Sequence, residues 1–218
     1  MNTIETFMFA SINAKKNRLF TLRTFLLYGA AGISMAELAR LGIIEGDGKS
    51  VTHAGSSSAK DPMLDEVLDA VIEKGLPSGL NSIISSVPRK VKRFGKRLME
   101  KLESDGYIRM EPGRFIGIFP YVRYVIARNS EHERLVSELK DIILKEDRQA
   151  DSQKALLVTM LFTCGVFRKL FDRRELEQVG PTLKKVGKGE FFEILNDFDK
   201  QVQKAVKSVI AAAQSASF

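Results

Sequence analysis

The chain has no tryptophan, one cysteine, two histidines and six prolines among 218 residues. Each scarcity excludes something. Cys164 alone cannot close an internal disulfide, and with only His53 and His132 beside it there is no ligand set for a structural zinc. It reads as a reduced core thiol of an intracellular protein. Few prolines beside fourteen phenylalanines argue for a well-filled helical core, because helix interiors exclude a residue without an N–H. Long apolar runs are missing too. Residues 19–36 are interrupted by Arg23, Gly29 and Gly32, and residues 155–167 run into Arg168 and Lys169. Both stop short of the roughly 20 apolar residues of a helical membrane span. The segment from Met1 to Ser11 lacks the basic start, apolar stretch and small-residue cleavage site of a secretory signal.

What is present is positive charge in a globular composition. Lys and Arg number 34 against 27 Asp and Glu, a net charge of +7 with a pI near 9.5, while 44% of residues are hydrophobic and 28% charged. A chain of this length and make-up is expected to be one mostly α-helical domain over residues 1–218. The pattern along it agrees. Residues 4–12 are apolar, residues 13–17 a polar break, and residues 19–41 read as a buried helix or helix pair that Gly29 and Gly32 kink. Asp47-Gly48 signals a hairpin within residues 42–52. Asp61-Pro62 opens a helix with Leu64, Val67, Leu68, Val71 and Ile72 inward, and residues 80–87 form a shorter turn or helix before Pro88.

Over residues 89–102, Val91, Phe94, Leu98 and Leu102 fall on one helical stripe. The rest of that helix is Arg89, Lys90, Lys92, Arg93, Lys96, Arg97 and Lys101, with Glu100 as the one acid. Gly106 stops it, and residues 107–110 and 115–119 follow as strands around a turn at Glu111-Pro112-Gly113. Downstream, residues 135–144 are an amphipathic helix and residues 153–171, apolar nearly all round, are the central helix of the domain. Residues 173–188 are a charged connection to a last helix over residues 191–213.

No enzymatic constellation survives. Gly48-Lys49-Ser50 ends like a phosphate-binding loop, but Ile43 stands where that loop needs glycine. The histidines lack metal spacing, Asp65/Glu66, Glu131/Glu133 and Asp172/Glu175 read as caps, and Cys164 sits among apolar residues that disfavour a thiolate. The expectation is no catalytic residue, no metal and no cofactor.

Several stretches together resemble the Golgi phosphoprotein 3 family. They are Ala36-Glu37-Leu38-Ala39 with Leu41-Gly42-Ile43-Ile44, Asp61-Pro62-Met63-Leu64-Asp65-Glu66, and residues 97–108 leading into Gly117-Ile118-Phe119-Pro120. Arg123-Tyr124, residues 154–158 and residues 165–171 add to them. The resemblance implies a four-helix core ringed by shorter helices and one or two β-hairpins. It further implies a non-enzymatic protein that binds membranes peripherally through phosphatidylinositol 4-phosphate on the cytosolic face. Family members also serve as adaptors in membrane trafficking and membrane-protein retention, so cytosolic segments of membrane proteins are possible partners. Aligned without gaps, the family's headgroup pocket falls on Leu22, Ala31, Lys92 and Gly95.

Of those four only Lys92 keeps a positive charge. The expectation is therefore binding to anionic phospholipid with weak headgroup selectivity, through Lys92, Arg93, Lys96, Arg97 and Arg23, assisted by membrane contact from Phe115, Ile116 and Ile118. Two alternatives stand beside it. A basic helix followed by a two-stranded wing also suits a winged-helix nucleic-acid binder, though the helix offers no Asn, Gln or Ser between Lys90 and Lys101 for base readout. The other is a protein-interaction adaptor whose surface is residues 19–41.

Overall fold

The computed structural model describes residues 1–46, 50–55, 58–115 and 119–216. Helix α1 (Thr3–Ala10) starts at a reciprocal cap: the Asn2 side chain accepts from the Glu5 N–H, and the Glu5 carboxylate accepts from the Asn2 N–H. A short ribbon, β1 (Ile12–Asn13) and β2 (Arg18–Leu19), leads into α2 (Arg23–Arg40). A second ribbon pairs β3 (Ile44–Gly46) with β4 (Val51–His53), where a hairpin is predicted; its Asp47-Gly48 turn lies outside the described residues. Then come α3 (Pro62–Lys74), capped by Asp61 with Pro62 in the first turn, α4 (Leu80–Lys90) and α5 (Phe94–Ser104). The third ribbon, β5 (Ile108–Phe115) with β6 (Phe119–Ile126), is followed by α6 (Asn129–Leu144), α7 (Ser152–Thr163), a 3-10 turn (Phe167–Leu170), α8 (Arg173–Lys188) and α9 (Asp197–Ser215). Among the described residues there are thus nine α-helices and three two-stranded antiparallel ribbons around one continuous apolar core.

Helices α2, α4, α7 and α9 pack on one another as the core, and α2 is its hub, also touching α1, α3 and α5. The two glycines that suggest a kink do something else, since α2 runs unbroken past both. A Cβ at Gly29 would lie 2.5 Å from Cys164 Sγ and 2.7 Å from Phe7 Cζ; one at Gly32 would lie 2.6 Å from Val206 Cγ2. They are where α1, the end of α7 and α9 close on the helix. At its far end, Arg40 donates to Asp199 Oδ1 at 3.3 Å and to the Ser152 carbonyl at 3.4 Å, tying α9 and α7 to the hub. Helix α2 is buried from Gly29 to Ala36, so within residues 19–41 the exposed side chains are those near the ends, Leu22, Arg23, Thr24 and Leu41.

Other differences have local causes. The apolar stretch 153–171 is not one helix: α7 ends at Thr163, Cys164 is its C-cap, and Gly165 at φ +73° turns the chain. Residues 173–188 form a helix because Val179, Thr182, Leu183 and Val186 make a buried stripe beneath the charges, opened by a reciprocal Asp172/Glu175 cap. Helix α9 begins later than residue 191, at a cap formed by Asn196 and Asp199; Phe191, Phe192 and Leu195 are buried in the segment before it. Glu111-Pro112-Gly113 is strand rather than turn, pairing with Arg123, Val122 and Tyr121. A two-stranded ribbon tolerates a proline because each strand keeps an edge. Gly113 leaves room for the Tyr121 ring, whose Cζ would be 2.6 Å from a Cβ there.

Two predictions follow from this packing. Gly to Ala in a helix interior ordinarily stabilises, yet Gly32→Ala should cost about 1–3 kcal/mol in urea unfolding because buried Val206 and Val202 must move. His132 is 5% exposed, meets the Phe9 ring edge-on at 4.9 Å, and its Nε2 has no partner among the described residues. Burial holds its pKa below the ordinary 6.5, against the opposing pull of the Phe9 and Ile12 carbonyls. The unfolded chain therefore takes the proton first, so stability should fall as pH drops from 6.5 to the lower folded value. His132→Phe should flatten that part of the pH–stability curve; an unchanged slope would contradict this assignment.

Candidate functional site

The basic stretch is two helices meeting at a corner. Val91 and Phe94 are both buried, and to bury both the chain leaves α4 in an extended Val91 and re-enters helix through Arg93 at φ +56°. The predicted inward set, Val91, Phe94, Leu98 and Leu102, is buried throughout. Lys92 and Arg93 stand exposed on the corner.

Most of the cations are paired. Lys90 Nζ is 3.2 Å from Glu73, Lys101 Nζ is 2.8 Å from Asp105, and Glu100 accepts from Arg93 at 2.9 Å with Lys96 Nζ 3.5 Å away. Arg97 forks onto Glu66 of α3, one arm at 2.7 Å, so it serves α3–α5 packing and is not a free lipid contact as expected. Glu66 is accordingly an ion-pair partner and not a cap. The Arg97 guanidinium holds the Glu66 carboxyl below its ordinary range, and the carboxylate raises Arg97 in turn. Arg89, Lys92 and Arg23 have no carboxylate partner among the described residues.

Arg23 comes to this corner through the fold. As the first residue of α2 it lies with its guanidinium over the first turn of α5, where a Cβ on Gly95 would be 3.2 Å from Nη2 and 3.3 Å from Nε. Arg23 and Lys96 form the polar rim of a cleft of about 790 Å³ between α5 and the third ribbon. Its apolar lining is Met99, Met110, Val122 and Tyr124, with Tyr121 and Glu111 at the side. The Glu111 carboxylate is taken by Arg123 across the ribbon, and the α5 amino terminus adds the partial positive charge of its dipole. Both sides are held: Glu103 accepts from the Met110 N–H at 2.6 Å, and the Tyr124 N–H donates to the Asn17 carbonyl at 2.9 Å.

The cleft lies beside exposed apolar side chains. Tyr121 and Val122 are 47% and 46% exposed, and Leu22, next to Arg23 in the chain, is 64% exposed. Of the expected membrane contacts, Ile116 and Ile118 lie outside the described residues; Phe115 ends β5, and only its backbone is described. Ala31 is wholly buried in α2, so that gap-free pocket position cannot meet a ligand. Tyr121, Val122, Met110 and Tyr124 were not anticipated, because reading Glu111-Pro112-Gly113 as a turn hid the length of both strands.

Elsewhere, burial pushes the Cys164 thiol far up, and its Sγ is 3.3 Å from the Phe25 carbonyl. No group of His, Cys, Asp or Glu among the described residues could hold a metal ion. No described helix is long and apolar enough to cross a membrane.

A family model described as Golgi phosphoprotein 3 (GPP34) matches residues 4–213, nearly the whole chain. The chain belongs to the Golgi phosphoprotein 3 family. A search of curated proteins finds no individual match. For a Golgi phosphoprotein 3 family member, this sets the basic corner, the cleft and the third ribbon in a chain whose matched region includes all three.

The Glu66–Arg97 pair carries its own test. A carboxyl with a depressed folded pKa stabilises fully above its ordinary value of 4.5, and that contribution disappears as pH falls through the lower folded value. Glu66→Gln should therefore cost less than about 1 kcal/mol at neutral pH, the pair being partly exposed, and nothing at pH 2. Chemical denaturation at the two pH values measures the difference.

Proposed function

We propose that this protein is a non-enzymatic, peripheral membrane protein that binds anionic phospholipid, with phosphatidylinositol 4-phosphate as the family headgroup, on the cytosolic face of a membrane. The observation that carries the reading is that Arg23 and Lys96 line one cleft, beside exposed Tyr121 and Val122. Lys92 on the corner, with no carboxylate partner among the described residues, adds attraction worth about 1 kcal/mol near an anionic surface, while Arg93 beside it is shared with Glu100. Tyr121 and Val122 of the third ribbon supply the apolar contact. The sequence alone suggests a diffuse field with weak selectivity, and Arg23 and Lys96 in the lining of one cleft add two cations at a single place. An adaptor role in trafficking or membrane-protein retention fits the same orientation, since a membrane-docked domain meets the cytosolic segments of its neighbours.

The nucleic-acid alternative fares worse on this geometry. Glu100 sits on the exposed side of α5 between Arg93 and Lys96, and Arg97 is turned to Glu66, so a phosphate backbone laid on α5 would meet a carboxylate.

Co-sedimentation with liposomes, beside a duplex-DNA control, tests the reading. Binding should weaken steeply with salt as the Debye length contracts from about 10 Å at 0.1 M to about 3 Å at 1 M. Lys92→Glu with Lys96→Glu should abolish sedimentation with any anionic liposome and leave the melting temperature nearly unchanged, as both side chains are exposed. Duplex DNA bound more tightly than the liposomes would overturn it.

A further inference from the structure

Basic residues are not confined to the α5 corner. Lys184, Lys185 and Lys188 are exposed in the last turns of α8, and along α9 Lys200, Lys204 and Lys207 follow one another at spacings of four and three. The end of α8 joins the two rows. A Cβ on Gly189 would lie 3.1 Å from Gln203 Oε1 and 3.6 Å from Lys200 Cγ, and Gln203 Nε2 donates to the Val186 carbonyl at 3.0 Å. A Cβ on Gly187 would lie 2.8 Å from Phe162 Cε1, and the Arg168 guanidinium lies 5.3 Å from the centre of that same ring. These close approaches, on either side of Lys188 in the chain, bring Lys200 of α9 and Arg168 to the end of α8.

This face meets little negative charge. The cations of α5, Lys96, Arg97 and Lys101, each have a carboxylate. Arg168, Lys184, Lys185, Lys188, Lys204 and Lys207 have none among the described residues, and Lys200 has only Asp197, itself 97% exposed, at 4.0 Å. The helix dipole accounts for Lys185 and Lys188 in the last turn of α8, but not for Lys204 and Lys207 in the middle of α9. Like charges three and four residues apart weaken a helix, so this row is offset only by an anion from outside the chain. The place is also remote from the corner. Arg40 at the carboxyl end of α2 donates to Asp199, the neighbour of Lys200, whereas Arg23 at the amino end meets α5. Eighteen residues of helix, about 27 Å, separate the two ends.

We propose that this lysine face docks an acidic segment of a partner protein, a helix whose carboxylates repeat three and four residues apart. Such a helix matches Lys200, Lys204 and Lys207 in register, at axial steps of about 6 Å and 4.5 Å. Lysine, a point charge on a flexible stem, suits carboxylates that need no fork. A nucleic-acid strand fits less well, because no aromatic side chain between residues 184 and 207 is exposed for a base to stack on. The proposal stands apart from the lipid-binding reading, since it uses none of the corner or cleft residues.

The experiment uses the full chain and a fluorescein-labelled Ala/Glu peptide of about 20 residues, long enough to be helical, with its glutamates three and four apart. Its controls are a peptide of the same composition with the glutamates gathered at one end, a charge-matched DNA duplex, and phosphatidylcholine vesicles containing phosphatidylserine. Wild type should bind the patterned peptide about fivefold or more tighter than the rearranged one, and Lys204→Glu with Lys207→Glu should weaken that binding by about tenfold or more. Those reversals should leave vesicle sedimentation unchanged. Lys204→Ala with Lys207→Ala should also weaken peptide binding without lowering the melting temperature, because it relieves a like-charge row. The proposal is overturned if wild type binds the two peptides alike or not at all, if the DNA duplex binds more tightly, if vesicle sedimentation falls with the α9 reversals, or if peptide binding survives them.

Discussion

The close approach of α2 to its neighbours is the constraint on which the rest depends. At Gly29 and Gly32 the helix meets Phe7, Cys164 and Val206 closer than any side chain would allow, and Arg40 fixes its carboxyl end to α7 and α9. A helix clamped along its length cannot slide or roll without opening the core, because interiors are close-packed and leave no space to shift into. Its first residue is therefore delivered to a set place. That residue is Arg23, and the place is the first turn of α5. Packing among glycines in the core and the position of one guanidinium at the surface are in this way the same fact seen at two ends of one helix.

The net charge of +7 overstates the field at the site. On and around α5, Glu66, Glu73, Glu100 and Asp105 take up Arg97, Lys90, Arg93, Lys96 and Lys101, some in shared arrangements. Exposed pairs of this kind contribute little to stability but cancel charge locally. What remains for an incoming anion is a small set from different parts of the chain: Arg89 and Lys92 at the corner and Arg23 from α2, with Lys96 sharing its carboxylate. Fewer cations, held in known places, suit recognition of a particular headgroup better than a uniformly basic helix face would.

Much of the fold is legible in the sequence because apolar periodicity and caps are local. The stripe Val91, Phe94, Leu98 and Leu102, the Asp61-Pro62 helix start and the third ribbon with its basic neighbour all follow from residues a few positions apart. The misreadings share a cause: a local signal overridden by something distant. Glu111-Pro112-Gly113 has turn composition, but Tyr121 across the ribbon uses the bare Gly113. Residues 173–188 look like a linker because charge conceals the buried stripe of Val179, Thr182, Leu183 and Val186. Gly29 and Gly32 suggest a kink, and only the positions of Cys164 and Val206 show that they are contact points. The site was half legible. Lys92, Arg93 and Lys96 were visible as a cluster, whereas the loss of Arg97 to Glu66 and the meeting of Arg23 with Gly95 depend on tertiary neighbours no spacing rule reaches.

On the proposed reading, the two groups of cations do different work because their surroundings differ. Lys92 and Arg89 are exposed and unpaired, so their attraction acts over roughly a Debye length and responds to the surface charge of a bilayer whatever its headgroups. Arg23 and Lys96 line a cleft whose ribbon side is held by the Met110 and Tyr124 backbone hydrogen bonds, so an anion there would meet two cations from different elements. Tyr121 and Val122 lie beside the cleft, and on that reading apolar side chains there set how near the bilayer comes.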